Sequence, residues 1–158
     1  MNRKSNGRGG DNLEWSITFL FSTWCALSDA KTGEIPNVVV IPACLFGLIY
    51  HILLAGKDGL QYILASALVL VLFGFLAVPG WLGMGDVKLL AAIAAWVGLW
   101  PTITSFVVAC LVSGIAAISH ILNKKAQYIR FGPFLGVGVY ISGLLHSVTP
   151  HFAPGFLT

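Results

Sequence analysis

Six long apolar segments with almost no charge inside them constrain the fold of this chain. They lie at about 15–29, 38–55, 60–79, 87–100, 102–122 and 131–149, with short polar connections between them. A helix needs about 20 apolar residues to cross the hydrocarbon core of a bilayer. Charged residues make up only 9% of the chain, whereas an ordinary soluble domain has about 25%. The sequence therefore predicts an all-α, polytopic integral membrane protein with about six transmembrane helices.

The fourth segment, 87–100, is shorter than a membrane-crossing helix. It spans only if it is tilted in thinned lipid, or if its helix continues past Pro101. Outside the six segments, the polar and glycine-containing residues 1–14 are predicted to form a disordered tail. The membrane domain then covers residues 15–149, and residues 150–158 form a short C-terminal tail.

The first apolar segment has an alternative interpretation. The run Trp15–Leu27 has the length of the apolar region of a signal peptide, and Ala26-Leu27-Ser28 has the small-x-small form of a cleavage site. Cleavage there would detach Asp29 from its helix. Asp29 is one of the two acids on which the predicted chemistry depends, so we prefer the transmembrane interpretation.

The composition argues against several functional classes. The net charge is only +3 and the basic residues are scattered, so nucleic-acid binding has no support. The cysteines lie far apart in apolar runs without a C-x-x-C pair, which predicts small buried hydrophobes and no zinc site or disulfide framework: Cys25, Cys44 and Cys110. The histidines match no motif and are expected to be polar tips or packed side chains: His51, His120, His146 and His151.

Two acidic residues stand at the ends of apolar segments. Asp29 ends the first segment, and Asp86 opens the fourth as the only acid between Gly59 and the C-terminus. If every segment spans, the connections after the first and third segments lie on one side, so both acids share a membrane face. Ionisable groups at the edge of the hydrocarbon are costly and usually functional. The remaining acids are interpreted as ordinary solvated groups: Asp11, Glu14, Glu34 and Asp58.

A pair of close carboxylates has a specific chemistry. Both cannot ionise easily, so one keeps a proton and the pair titrates as a unit. The ionised member can take a proton from water while the protonated member hydrogen-bonds a scissile carbonyl, as in aspartic peptidases, without metal or organic cofactor. A purely structural interpretation also stands: Asp86 caps a helix that starts at Val87, and Asp29 faces the lipid headgroups.

Three motifs accompany the two acids. Asp29 begins D-x5-I-P-N, Asp86 ends G-x-G-D, and Arg130–Gly138 read RFGPFLGVG. Together, in this order and on a chain of six segments, they resemble the type IV prepilin peptidases, membrane aspartic peptidases of the GxGD class. The resemblance covers nearly all of residues 15–149, and it matches Asp29 and Asp86 to the two catalytic aspartates of that family.

Two glycines flank Asp86 in its motif. Gly83 and Gly85 lack a Cβ, so the backbone of a peptide substrate could approach Asp86 closely. A loop that needs a positive φ would require glycine as well, and for Gly83 this interpretation is at least as strong. Both are candidate substrate-binding or supporting residues.

Three other residues are candidates for the same role. Pro36 suits the turn that enters the second segment, and Asn37 completes its motif. Lys88 lies two positions after Asp86, so the two side chains do not face each other on a helix. Lys88 then reaches the headgroups, or it contacts the substrate or Asp29. Gly132-Pro133 is expected to start the sixth helix, because proline is tolerated in a first turn.

The resemblance implies a substrate and an orientation. Members of this family cut prepilin-like or pseudopilin precursors just after the glycine that ends a short basic leader, at the cytoplasmic face of the cell inner membrane. The lysine and arginine counts, five on the inner side and four on the outer, barely distinguish the two orientations. Phe131, Phe134 and the small residues of segments four and five are candidates for the surface that meets the apolar helix of the substrate.

Many members of this family are larger and also methylate the new pilin N-terminus, through a region that carries a cysteine cluster. This chain has neither the length nor the C-x-x-C pairs for that region. We therefore predict cleavage only, with no S-adenosylmethionine site and no cofactor. Short members resemble those that serve Flp-type pili, and the preflagellin peptidases of archaea are also short.

Two functions from other classes fit the same acids. In a transporter or channel subunit, Asp29 and Asp86 would form a proton or cation relay. In a pseudoenzyme, the chain would act as a scaffold for a pilus machine. Besides the substrate and the lipid bilayer, a second copy of the chain or the pilus-assembly machinery is an open candidate for a partner.

Overall fold

The chain folds into a bundle of α-helices. A computed structural model describes residues 7–80, 82–122 and 131–148, and this part of the chain contains no strand. The helices are α1 (Gly7–Thr32), α2 (Asn37–Ala55), α3 (Leu60–Ala77), α4 (Met84–Val97), α5 (Leu99–Leu122) and α6 (Gly132–Val148), with a 3₁₀ turn at Gly56–Gly59. By length and composition, α2, α3 and α5 can cross a membrane, and α6 is a shorter apolar helix. The predicted all-α, polytopic membrane fold is confirmed.

Helix α4 forms the centre of the bundle. It contacts α1, α2, α3 and α5, and its residues from Leu89 to Trp96 are all buried. Alanines at 91, 92, 94 and 95 let these neighbours approach closely. Two side chains bind backbone carbonyls across the helix contacts: Ser66 Oγ donates to Ala91 at 3.0 Å, and Trp96 Nε1 donates to Ala43 at 2.8 Å. The outer helices expose large apolar side chains, as lipid-facing surfaces do.

The fourth segment differs from its prediction. Helix α4 has 14 residues and is therefore about 21 Å long, against a hydrocarbon core of about 30 Å. It does not continue past Pro101, because Gly98 ends it with φ +82° and α5 begins at Leu99. Pro101 lies in the first turn of α5, where no intrahelical N–H bond is lost.

The prediction of a disordered tail through residue 14 is wrong for residues 7–14, which belong to α1. Glu14 is not an ordinary solvated acid either, because its carboxylate lies 4.0 Å from His51 Nε2 and its side chain is only 17% exposed. His51 therefore lies against the helical turn of α1 that precedes Trp15, and an established helix extends at low cost. Residues 1–6 and the predicted C-terminal tail, 150–158, lie outside the described residues.

His51 is a packed side chain, which confirms one of the two expectations for it. It is 3% exposed, stacks on the Tyr62 ring with a centroid distance of 3.5 Å, and donates through Nε2 to the Trp96 carbonyl at 3.0 Å. His146 packs near the Trp15 ring. The His120 side chain and His151 lie outside the described residues.

The three cysteines differ in burial. All are free thiols, but only Cys25 is buried, whereas Cys44 is half-buried and Cys110 is exposed. The prediction of buried hydrophobes is therefore wrong for Cys110. Its position on α5 faces a cavity, and lipid or a ligand can cover an apolar thiol there.

Candidate active site

The two predicted acids meet at one end of the bundle. Asp29 lies in the last turn of α1 and Asp86 in the first turn of α4, and both line one cavity of about 850 Å³. They are 8% and 9% exposed, respectively. The topology explains this meeting, because α2 leads away from the end of α1 and α3 returns to the start of α4. The expectation that both acids share one side of the protein is confirmed.

Asp86 is not the N-cap residue of its helix. Helix α4 begins at Met84 with Gly83 as its N-cap, so Asp86 is the third residue of the first turn. Its carboxylate accepts a hydrogen bond from the backbone of Gly83. Gly83 has φ −69° and ψ 137°, so the glycine is not needed for a left-handed turn. It is needed for space, since a Cβ there would lie 2.9 Å from Oδ2 of Asp86.

The surroundings of Asp86, outside the three candidate spans, favour its neutral form. Burial, followed by the charge of Asp29, raises the pKa of Asp86 to about 6. The hydrogen bond from Gly83 acts in the opposite direction, as does the positive end of the α4 dipole. Desolvation and like-charge repulsion outweigh both, so Asp86 is suited to hold the proton of the pair.

Asp29 is held from a different helix. Its Oδ2 accepts a hydrogen bond of 3.1 Å from the backbone N–H of Gly132, the first residue of α6. A Cβ at Gly132 would lie 2.6 Å from the same oxygen. Gly132 begins a helix, as predicted, but it was not predicted to be a site residue. The available signal was its place in the RFGPFLGVG motif, whose Arg130 lies outside the described residues.

Two of the predicted supporting residues connect α2 and α4. Pro36 is the N-cap of α2, and its carbonyl accepts from the N–H groups of residues 39 and 40, so the predicted turn is confirmed. Nζ of Lys88 donates to Oδ1 of Asn37 at 3.2 Å. Within the described ranges Lys88 forms no ion pair with an acid. Lys88 therefore ties the start of α4 to the start of α2, and its contact with headgroups or with the substrate stays a prediction.

Gly85 permits a contact within the protein. A Cβ at this position would lie 3.2 Å from Cβ of Ile35, the isoleucine of the D-x5-I-P-N motif. The two sequence motifs therefore pack directly against each other. This close approach is a structural reason for a glycine at position 85, and it does not depend on a substrate.

The cavity extends from the acids along one face of α5. Its wall there is formed by five residues that recur about once per turn on one face of α5: Phe106, Cys110, Ser113, Gly114 and Ala117. Leu76 of α3 and Phe131 complete the apolar lining. Phe131 and these small residues of segment five therefore face the cavity, and their contact with the substrate helix stays a prediction. Phe134 is half-buried and does not line this cavity, and the α4 alanines are buried in the core.

This arrangement suits proton transfer between carboxylates and a bound molecule. The described residues contain no group of three or more histidine, cysteine, aspartate or glutamate side chains placed to hold a metal. Two buried acids at the head of an apolar cavity can activate water, polarise a carbonyl or relay a proton.

Comparison with known proteins identifies the functional class of this chain. The profile of the Type IV leader peptidase family matches residues 16–118, about two thirds of the chain and a range that includes both aspartates. The chain belongs to this family. It is thus a membrane peptidase, and the resemblance read from its three motifs is confirmed.

Individual relatives of this peptidase support the assignment. The Salmonella typhimurium protein "Leader peptidase HopD" is 32% identical, over 78% of this chain and 86% of the relative. Two proteins named "Prepilin leader peptidase/N-methyltransferase" are each 31% identical: the Escherichia coli K12 protein over 80% of this chain and 60% of its own, and the Pseudomonas aeruginosa protein over 78% and 47%. The peptidase thus covers only about half of these larger relatives. No solved structure matches the chain.

Proposed function

We propose that this peptidase is an aspartic endopeptidase that removes short basic leaders from type IV prepilin-like precursors, those of Flp-type pili included. It would act at the cytoplasmic face of the inner membrane. One observation carries the proposal: two buried carboxylates, Asp29 and Asp86, open into a single cavity at one end of the bundle. Family membership and the names of the relatives support leader processing as the reaction.

The pair supplies both proton transfers of peptide hydrolysis. The ionised carboxylate takes a proton from a water molecule, and the resulting hydroxide forms a bond to the scissile carbonyl carbon. The protonated carboxyl donates a hydrogen bond to the carbonyl oxygen and stabilises the charge that develops there. When the tetrahedral intermediate collapses, the C–N bond breaks and the leaving amine receives a proton from the pair. Water is the only co-reactant.

The residues that line the cavity suit a substrate that lies partly in lipid. A prepilin has a polar leader followed by an apolar helix, and the cavity has a polar end at the carboxylates and an apolar wall on α5. The apolar helix would pack on the small side chains of that wall, since small residues permit close contact between helices in lipid. The leader would then lie across Asp29 and Asp86.

The direct test is cleavage of a prepilin by the reconstituted protein. Asp29→Asn and Asp86→Asn should each lower the rate by at least about a thousandfold, because an amide is similar in shape but cannot exchange the proton of the pair. The double variant should be scarcely worse than either single one, as expected for groups that act as a unit. Asp58→Asn, in the 3₁₀ turn between α2 and α3, is the matched control and should remain active.

Two results would contradict the proposal. Substantial cleavage by either single variant would remove that aspartate from the catalytic pair. Proton flux through reconstituted vesicles, abolished by the same variants and without cleavage of any prepilin, would instead identify the acids as a relay.

A further inference from the structure

The contact between Asp29 and Gly132 joins residues that are 103 positions apart in the sequence. Gly132 begins α6, so its N–H is one of the donors at a helix N-terminus that have no intrahelical partner. The next residue, Pro133, has no N–H to offer. The Gly132 N–H therefore has no partner within its own helix. It lies at the positive end of α6 and donates to the Asp29 carboxylate.

Gly132 also leaves room that no other residue would leave. Its missing Cβ would lie 2.6 Å from Oδ2, 2.8 Å from Cβ and 2.9 Å from Cγ of Asp29. These atoms belong to a short side chain on a packed helix, so the carboxylate would have to move to make room for even one methyl group. The position of Asp29 in the cavity thus depends on a glycine in α6.

The location of Asp29 makes this donor important. Asp29 lies in the last turn of α1, where unpaired carbonyl oxygens and the negative end of the helix dipole disfavour a second negative charge. The cavity that Asp29 lines is also lined by Asp86 and Lys88 of α4, by Glu34 of the α1–α2 connection and by Cys110 of α5. Lys88 donates to Asn37, and the Gly132 N–H donates to the carboxylate of Asp29.

We propose that Gly132 is a positioning residue for leader cleavage: its backbone N–H and its lack of a side chain hold Asp29 in the cavity as the ionised member of the pair. Asp29 then takes the proton from water, and Asp86 carries the shared proton. A hydrogen bond to the charged form of a carboxyl favours that form. This inference rests on the aspartic mechanism proposed above.

The test compares two changes at residue 132 with the same changes at residue 136. Gly132→Ala displaces the carboxylate. An amide-to-ester substitution at the Phe131–Gly132 bond removes the donor without adding an atom, so it decides the question even if the alanine variant fails to fold. Gly136 is also buried on α6, but a Cβ there would meet Ala26 at 3.0 Å and not Asp29, so Gly136→Ala and an ester at residue 136 are matched controls.

Cleavage of a prepilin is measured as a function of pH for the wild type and for the alanine and ester variants at residues 132 and 136. Both changes at residue 132 should lower kcat about tenfold or more and move the acid limb of the profile to higher pH, because both disturb a hydrogen bond to the charged form of the carboxylate. The controls should keep the wild-type acid limb, even if they lose some stability.

A wild-type kcat and acid limb for the residue 132 ester would overturn the inference. The same shift in the residue 136 ester would also overturn it, because the effect would then come from a weakened helix. Neither result would affect the aspartic mechanism, whose failure appears separately as cleavage by the Asp29→Asn variant.

Discussion

At the residue scale, the two carboxylates make the pH dependence of cleavage predictable. The pKa of Asp86 is raised to about 6 by burial and by the charge of Asp29. Asp86 therefore holds its proton below about pH 6 and loses it as the pH rises through that value. We expect kcat/KM to fall above about pH 6, and to fall again at low pH as the ionised member of the pair takes up a proton, which gives a bell-shaped profile.

Initial rates on a reconstituted prepilin across the pH range check this expectation. EDTA should leave the profile unchanged, since the described residues hold no metal-ligand cluster. A constant kcat/KM between about pH 5 and about pH 8 would show that no group with this pKa controls the reaction. Loss of activity with EDTA that zinc restores would replace the two-carboxylate mechanism with a metal-dependent one.

The motifs predict the two acids but not what holds them. Asp29 and Asp86 can be found from the sequence because each stands at the end of an apolar segment beside a recognisable motif. The Gly132 N–H and the bond between Lys88 and Asn37 cannot, since both join residues that only tertiary packing brings together. Helix α4 begins at Met84, three residues before the start at Val87 that the purely structural interpretation assumes, so Asp86 lies within its first turn.

At the element scale, hydrophobicity predicts that a helix exists more reliably than where it lies. Segments four and five are both apolar, yet α4 is buried in the centre while α5 exposes large side chains such as Leu111 and Ile115. In lipid both environments select apolar residues, so hydropathy does not separate them. The four alanines of α4 are the sequence feature that distinguishes a helix surrounded by other helices.

The α5 wall of the cavity gives a prediction about substrate binding. Gly114 lines the cavity, and a Cβ there meets nothing within 4 Å. Gly114→Leu should therefore fold normally and fill space that the substrate helix needs. We expect KM for a prepilin to rise about tenfold with a smaller change in kcat, because the change lies away from the acids and affects binding more than chemistry.

Gly74→Leu on α3 is the matched control. A Cβ at Gly74 also meets nothing within 4 Å, but Gly74 does not line the cavity, so its KM should stay at the wild-type value. Equal KM values for the Gly114→Leu variant and the wild type would place the substrate helix elsewhere on the protein.

At the scale of the whole molecule, the bundle has two chemically different ends. One end carries Asp29, Asp86 and the cavity, and the other carries the buried His51, which is stacked on Tyr62 and close to Glu14. The order of the helices explains why the residues at each end come together. For the two acids, the parity of the spanning segments between them already predicts that they share one end. Parity does not say which end faces the cytoplasm, because it is unchanged when the protein is inverted.

Orientation is the last prediction. We expect the end with the acids to face the cytoplasm, where five basic residues would lie against four on the outer side, a small difference in the favoured direction. Asn12 and Lys31 are both exposed on α1, and their separation along the helix is about 28 Å, close to the thickness of the hydrocarbon core. With the three native cysteines replaced, a membrane-impermeant maleimide should label Asn12→Cys in intact spheroplasts and Lys31→Cys only after permeabilisation. The opposite labelling, in variants that still cleave a prepilin, would place the active site on the outer face.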